Sequence, residues 1–289
     1  MRPRRPVLRY HGGKWKLAQW IITHFPKHNV YVEPFGGAAS VLLQKPRSYG
    51  EVYNDLDDEV VNVFRVLRDP SAADELCRRV TLTPFSRVEF KAAYRDPSDD
   101  VDRAHKMIVR SFMGFGSASM TRMHITGFRS NSNRSGVPPS VDWSNWPWQV
   151  KAITARLRGV VIENREALRV IEQHDSLSTL FYVDPPYVWS TRSSLALKNG
   201  NRGHYYRHDM DDDGHREIAE ALRSVAGMVV VSGYASPLYN ELYRDWKRFD
   251  RSTYADGARK RIESLWISPR CYDARPAASM FAQEAAANG

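Results

Sequence analysis

Cysteine is scarce in this 289-residue chain. Cys77 and Cys271 are the only two, too few for a disulfide scaffold, a four-ligand zinc ribbon or an iron–sulfur cluster. A reducing compartment is therefore expected. Nine histidines are scattered without paired spacing, so no metal is expected. No uninterrupted apolar run reaches membrane-spanning length, and the start Met1-Arg2-Pro3-Arg4-Arg5-Pro6 has no apolar core behind it. A cytoplasmic protein away from membranes is expected. No Ser/His/Asp arrangement for a covalent nucleophile stands out, and no glycine loop closes on the Gly-Lys-Ser/Thr of a phosphate-binding loop. Acidic residues are the minority, with 33 Asp plus Glu against 42 Lys plus Arg, a formal charge of +9. That surplus favours a polyanionic partner, because each phosphate neutralised releases counterions.

The residues present suffice for a sizeable core, since hydrophobic residues make up 42% of the chain and there are eight tryptophans. Apolar residues recur at helical spacing over 17–25. Val30-Tyr31-Val32 then reads as a short strand, and 38–44 as a helix entered through glycines. A second strand at Val52-Tyr53 leads to a helix over 59–67, with Val60, Val63, Phe64 and Leu67 on one face. The rhythm returns later as strands at 160–162, 180–183 and 228–231, with helices at 167–172 and 215–225. Strands alternating with helices predict an α/β sheet covered on both faces.

Between about 71 and 157 the rhythm breaks into helical patterns and a Gly, Ser, Arg and Asn stretch, with Trp143, Trp146 and Trp148 expected to pack together. The expected layout is a sheet domain formed by 1–70 and 158–273, a mainly helical insert over 71–157, and a frayed tail over 274–289. The acids Asp209, Asp211, Asp212 and Asp213 read as the capping turn of the next helix, and His215 as structural.

Three segments could carry chemistry. Asp184-Pro185-Pro186-Tyr187 directly follows the apolar strand Leu180-Phe181-Tyr182-Val183. At the carboxyl end of a parallel strand, side chains and carbonyls face the ligand crevice, and two prolines keep the turn from coiling into a helix. Such a turn can aim a carboxylate and a carbonyl at one amine beside an aromatic ring; a rigid capped turn is the plainer reading. Glu33-Pro34-Phe35-Gly36-Gly37 again joins a strand to a helical pattern, where glycines let a ligand approach the backbone. Asp55 ends the next strand, placed for ribose hydroxyls or for a simple turn. Tyr10, Gly12, Gly13 and Lys14 pair glycines with a cation and a ring, suited to an anionic or zwitterionic ligand or to an ordinary loop.

In this order the three segments resemble the S-adenosylmethionine-dependent DNA adenine methyltransferases of the Dam type, alpha-group amino-methyltransferases with many phage and prophage members. The resemblance runs from about Val7 to Arg270 and takes in Val231-Ser232-Gly233-Tyr234 with Ser236-Pro237-Leu238-Tyr239, and Glu263-Ser264-Leu265-Trp266, as later strands. It implies a Rossmann-like methyltransferase sheet with an inserted target-recognition region, S-adenosylmethionine as methyl donor, and double-stranded DNA as partner. By the same resemblance Tyr10, Gly12, Gly13 and Lys14 help hold the cofactor, Glu33, Pro34, Phe35, Gly36 and Gly37 shape its pocket, and Asp55 binds its ribose. Asn164-Arg165-Glu166-Ala167 departs from the family's pattern, which usually has Asp, often followed by Phe; Glu166 keeps an acid for the cofactor's adenine amine.

The implied reaction is methylation of the exocyclic N6 of a flipped-out adenine at a specific, GATC-like site. Asp184, Pro185, Pro186 and Tyr187 would carry it. Within the insert, Arg110, Arg122, Phe128, Arg129, Asn131, Asn133 and Arg134 are the candidates for touching DNA. The alternatives are a cytosine-N4 or RNA amino-methyltransferase, or a catalytically silent DNA-binding module of the same fold. A monomer or weak dimer is expected.

Overall fold

The computed structural model describes residues 3–116, 120, 125–130, 136–191, 208–254 and 260–275. Seven strands form its sheet: β1 (Val30–Glu33), β2 (Gly50–Asn54), β3 (Val160–Glu163), β4 (Thr179–Val183), β5 (Met228–Gly233), β6 (Lys247–Tyr254) and β7 (Lys260–Ile267). They lie in the order β3-β2-β1-β4-β5-β7-β6. The first five are parallel, with Val30 opposite both Gly50 and Thr179, while β7 runs antiparallel between β5 and β6. The apolar runs expected to be strands from their own pattern are strands, but Ser236-Pro237-Leu238-Tyr239, expected among the later strands, is not: Ser236 accepts from Tyr239 N–H and Pro237 opens a helix over Pro237–Leu242. The polar strand β6 was not expected, because an edge strand needs no continuous apolar run.

Alternate residues of the central strands enter two buried clusters, as the two-residue period requires. Tyr31, Leu180, Tyr182, Val230 and Leu265 face one layer; Val32, Phe181, Val183, Val231 and Trp266 face the other. The second layer is built by α8 (Ala167–His174), α9 (Asp212–Ser224) and α10 (Pro237–Leu242). The first holds α1 (Ala18–Ile22), α2 (Asp58–Arg68), α3 (Pro70–Leu82), α4 (Arg87–Ala92), α5 (Asp100–Met113), α6 (Pro139–Ser144), α7 (Val150–Leu157) and α11 (Pro269–Asp273). Helices therefore cover both faces.

Local chemistry sets these helices. Asp57 accepts from the Glu59 amide to cap α2, and Asp58 with Glu59 at its start and Arg65 with Arg68 at its end oppose its dipole. Asp69 caps α3 ahead of Pro70, and Asp211 caps α9 by accepting from Gly214 N–H, as the acidic run suggested. His215 is buried against the Tyr239 hydroxyl, a structural role.

One expected helix is absent. Residues 38–44 form successive turns, because Gly37 (φ +48°) and Ala39 (φ +52°) take left-handed backbone that interrupts a regular helix. The helices between β2 and β3 share a continuous cluster with the sheet: Leu76, Phe90, Met107, Phe112 and Trp146 belong with Tyr31 and Tyr182. Trp143 and Trp146 pack there and donate their indole N–H groups to the carbonyls of Thr83 and Val7. Trp148 does not join them, and at 83% exposed it corrects the expectation of a packed trio. The tail beyond 275 lies outside the described residues.

Candidate active site

In a parallel sheet whose strand order reverses, ligands bind at the carboxyl ends of the strands on either side of the reversal. Here the reversal lies between β1 and β4. A cavity of about 230 Å³ opens there, lined by residues from four separated segments, 10–14, 33–41, 54–57 and 165–168, and by Asp184, Pro185 and Pro186. The structure brings Tyr10, Gly12, Gly13, Lys14, Glu33, Pro34, Phe35, Gly36, Gly37, Asp55, Glu166 and Asp184 to this one cavity.

The wall after β1 is shaped by close packing. A Cβ on Gly36 would lie 2.1 Å from the Tyr53 ring, so only glycine lets the chain pass there. The Tyr53 hydroxyl donates to the Gly37 carbonyl at 2.7 Å, and Gly37 N–H donates to Asp55 Oδ2 at 2.8 Å. Asp55 Oδ1 accepts from Asp57 N–H at 2.9 Å, and Leu56 N–H also supports the carboxylate. Asp55 thus fills the turn role while lining the cavity. Asn54 fastens this wall to the neighbouring one, donating to the carbonyls of Pro34 and Arg165 and accepting from Arg165 N–H.

Buried carboxyls dominate the electrostatics. Burial pushes Glu33 up to about 7, against the hydrogen bonds from the Tyr31 hydroxyl and Leu42 N–H. Burial likewise raises Asp55 to about 6. Lys14 is 3% exposed; burial opposes its charge, but Asp184 and Glu263 outweigh that and hold its pKa well above the ordinary lysine value. Its Nζ donates to Asp184 Oδ1 at 2.7 Å and Oδ2 at 2.9 Å, and to Tyr187 Oη at 2.9 Å. Asp184 Oδ1 also accepts from Ser232 Oγ at 2.8 Å.

Tyr187 is buried beside the cavity, with its ring stacked on Tyr234 at 4.4 Å and 21°. Ser232, Tyr234 and Glu263 were not singled out as site residues. Their stretches read as strands, and the legible signal was a charged or polar residue in strands otherwise buried, Ser232 in β5 and Glu263 in β7.

The DNA candidates fall out differently. Arg110 is withdrawn: at 2% exposed it donates Nη1 to the Ala93 carbonyl, Nε to the Met120 carbonyl and Nη2 to Glu59, so it ties helices together. Phe128 is half-buried, its ring packed on Phe85 and Phe90, which makes it an anchor rather than an intruding wedge. Arg129 is half-buried beside it and donates Nη1 to the Phe112 carbonyl at 2.9 Å. Arg122, Asn131, Asn133 and Arg134 lie outside the described residues.

Among the described residues, no helix is long and apolar enough to cross a membrane. Comparison with known proteins agrees with the geometry. Residues 10–255 match the D12 class N6 adenine-specific DNA methyltransferase family. The chain is 28% identical over 261 residues to the type II methyltransferase M1.LlaDCHI of Lactococcus lactis subsp. cremoris, covering 84% of this chain and 85% of that one. It is 25% identical over 277 residues to the DNA adenine methylase of Escherichia coli (strain K12), covering 92% and 95% respectively.

Proposed function

The chain belongs to the D12 class N6 adenine-specific DNA methyltransferases, and from that membership we propose that S-adenosylmethionine and a flipped-out adenine meet in the crevice between β1 and β4. The observation that carries this reading is the convergence of segments 10–14, 33–37 and 54–57 with Asp184 on one cavity at the sheet's reversal. Adenine N6 in DNA is the methyl acceptor.

The residues fit such a cofactor. Its sulfonium is a cation, and the cavity offers the carboxyls of Glu33, Asp55 and Asp184, where an anionic donor would meet repulsion and a neutral one would gain nothing from their charge. Tyr10, Gly12 and Gly13 would hold the amino-acid end, with Lys14 adding only its nearby positive charge, Glu33 through Gly37 the middle, Asp55 the ribose hydroxyls, and Glu166 the adenine amine. When bound, the cofactor supplies a methyl group already activated by its sulfonium.

The protein then has to position and polarise. An exocyclic amine is a poor nucleophile because its lone pair is delocalised into the ring. Accepting its hydrogens at Asp184 and the Pro185 carbonyl raises electron density on nitrogen. Pro185 and Pro186 fix φ and add no N–H that would compete for those acceptors. Tyr187 offers its ring to the flipped base, offsetting part of the unstacking cost. The nitrogen gains a methyl and loses one proton, for which Asp184 is the nearest acceptor. Alignment of nitrogen, methyl and sulfur needs no covalent nucleophile.

The helices of 71–157 are the proposed target-recognition region, with Arg122, Arg129, Asn131, Asn133 and Arg134 toward DNA. Support comes from the end of α5, where Ser111 Oγ accepts from Arg9 N–H at 2.6 Å, one residue before Tyr10 of the cavity. Segment 125–130 is anchored to the same helix end through Arg129. The protein is proposed to act on duplex DNA as a monomer or weak dimer, at a GATC-like site. Methyl incorporation into synthetic duplexes tests this: wild-type protein labels adenine, and the Asp184→Ala variant binds duplex with methyl transfer at least about a thousandfold slower. Undiminished transfer by Asp184→Ala would refute the assignment.

A further inference from the structure

Glu263 stands on β7 on the same face as Leu265 and Ile267, and is 2% exposed. Nothing in the chemistry above uses it. Its Oε1 lies 3.5 Å from Lys14 Nζ, long for a hydrogen bond, and has no hydrogen-bond partner among the described residues. A buried carboxylate oxygen left in that state is costly unless it has a use.

Lys14 explains the use. An ammonium has three N–H donors. Those of Lys14 are already taken by Asp184, by Tyr187 and by the Gly12 carbonyl at 3.0 Å. Asp184 in turn takes one Lys14 N–H shared between its two oxygens and a second hydrogen bond from Ser232 Oγ on Oδ1. A carboxylate shared with a buried ammonium is also a weakened acceptor. An incoming amine therefore competes with Lys14 for Asp184, and a displaced ammonium with no counter-charge would be an unpaired buried cation.

Resting on the reading of Asp184 as the amine acceptor, we infer that Glu263 is the second anchor of Lys14. As the target amine engages Asp184, the ammonium moves across to Glu263, stays paired, and frees the Asp184 oxygens. Glu263 is thus a positioning residue that acts through Lys14 and touches neither base nor methyl donor.

The test compares duplexes carrying adenine or purine, which lacks the 6-amino group, at the target position, bound to the full chain with S-adenosylhomocysteine present. Wild-type protein should prefer adenine by about tenfold. In Glu263→Gln the preference should fall toward one, single-turnover methyl transfer should slow by about tenfold, and cofactor affinity should stay within about twofold. Glu263→Asp, which keeps the charge on a shorter arm, should lie between, and carries the test if Glu263→Gln does not fold. Wild-type preference and rate in both variants would overturn the inference while leaving Asp184 in place. Joint loss of cofactor affinity and thermal stability in both variants would overturn it in favour of a scaffold role. A wild-type protein that methylates no adenine and does not distinguish the two duplexes would overturn the Asp184 reading itself.

Discussion

Two of the buried ion clusters among the described residues lie at opposite ends of the sheet, and they are built on different terms. Near the start of β2, Glu51 accepts from Lys45 at 2.7 Å, from both Nη atoms of Arg156 at 2.6 and 2.9 Å, and from Ser48 N–H at 3.2 Å. Its hydrogen bonds with those two cations outweigh burial and hold its pKa below the ordinary carboxylate value. Arg156 adds the Leu42 carbonyl, and only its Nε lacks a partner. At the crevice the same ingredients give the opposite result. Glu33 and Glu263 are pushed up to about 7 by burial, and the Glu263 Oε1 has no hydrogen-bond partner among the described residues. A satisfied network holds a fold, whereas an under-satisfied one at a strand-order reversal is prepared to take a ligand.

The contrast can be broken by removing one partner from the satisfied cluster. Arg156→Met should lower stability by about 3–5 kcal/mol in denaturant melts, because it leaves Glu51 buried with a missing counter-ion. Turnover per folded molecule should be unchanged. A loss of turnover at full stability would mean that this cluster serves catalysis.

Acidity sharpens the contrast next. Folded protein holds protons on Glu33 and Asp55 that the unfolded chain has released, since burial lifts them from ordinary values of 4.5 and 3.8 to about 7 and about 6. Stability of the unbound protein should accordingly fall as pH rises through that window. A cation prefers the ionised carboxyls, so affinity for S-adenosylmethionine should rise by about tenfold or more between pH 5.5 and 7.5 in calorimetry. Equal affinity at both ends would show that these carboxyls do not face the sulfonium.

Smaller effects come from shape. Gly36→Ala forces the Tyr53 ring away from its hydrogen bond to Gly37 and should cost about 1–3 kcal/mol, with weaker cofactor binding, by thermal melts and titration. At the bottom of the scale, Trp148→Ala removes an exposed ring and should leave stability within about 0.5 kcal/mol. A larger loss would place that ring in the core after all.

Much of this was legible in the residues. Short apolar runs ending in Glu33, Asn54 and Asp184 mark buried parallel strands and the ligand-facing turns at their carboxyl ends, so the crevice lining could be named in advance. Three things resisted. The turns over 38–44 hinge on left-handed backbone at Gly37 and Ala39, which helical spacing does not reveal. Arg110 is a charged residue set in the apolar run Met107-Ile108-Val109-Arg110-Ser111-Phe112-Met113, and its own charge reads as exposed, but the register of α5 points it inward onto carbonyls and Glu59. Ser232 and Glu263 become site residues only when β5 is laid beside β4 and β7 beside β5, a pairing that local pattern does not encode.

The most direct test of the central claim is modified-base sequencing of plasmid DNA from a methylation-free host expressing the protein, with Asp184→Ala expressed alongside. The account requires N6-methyladenine at one recurring motif, absent with the variant. Unmodified adenine from folded, cofactor-binding protein, or equal methylation by the variant, would contradict it.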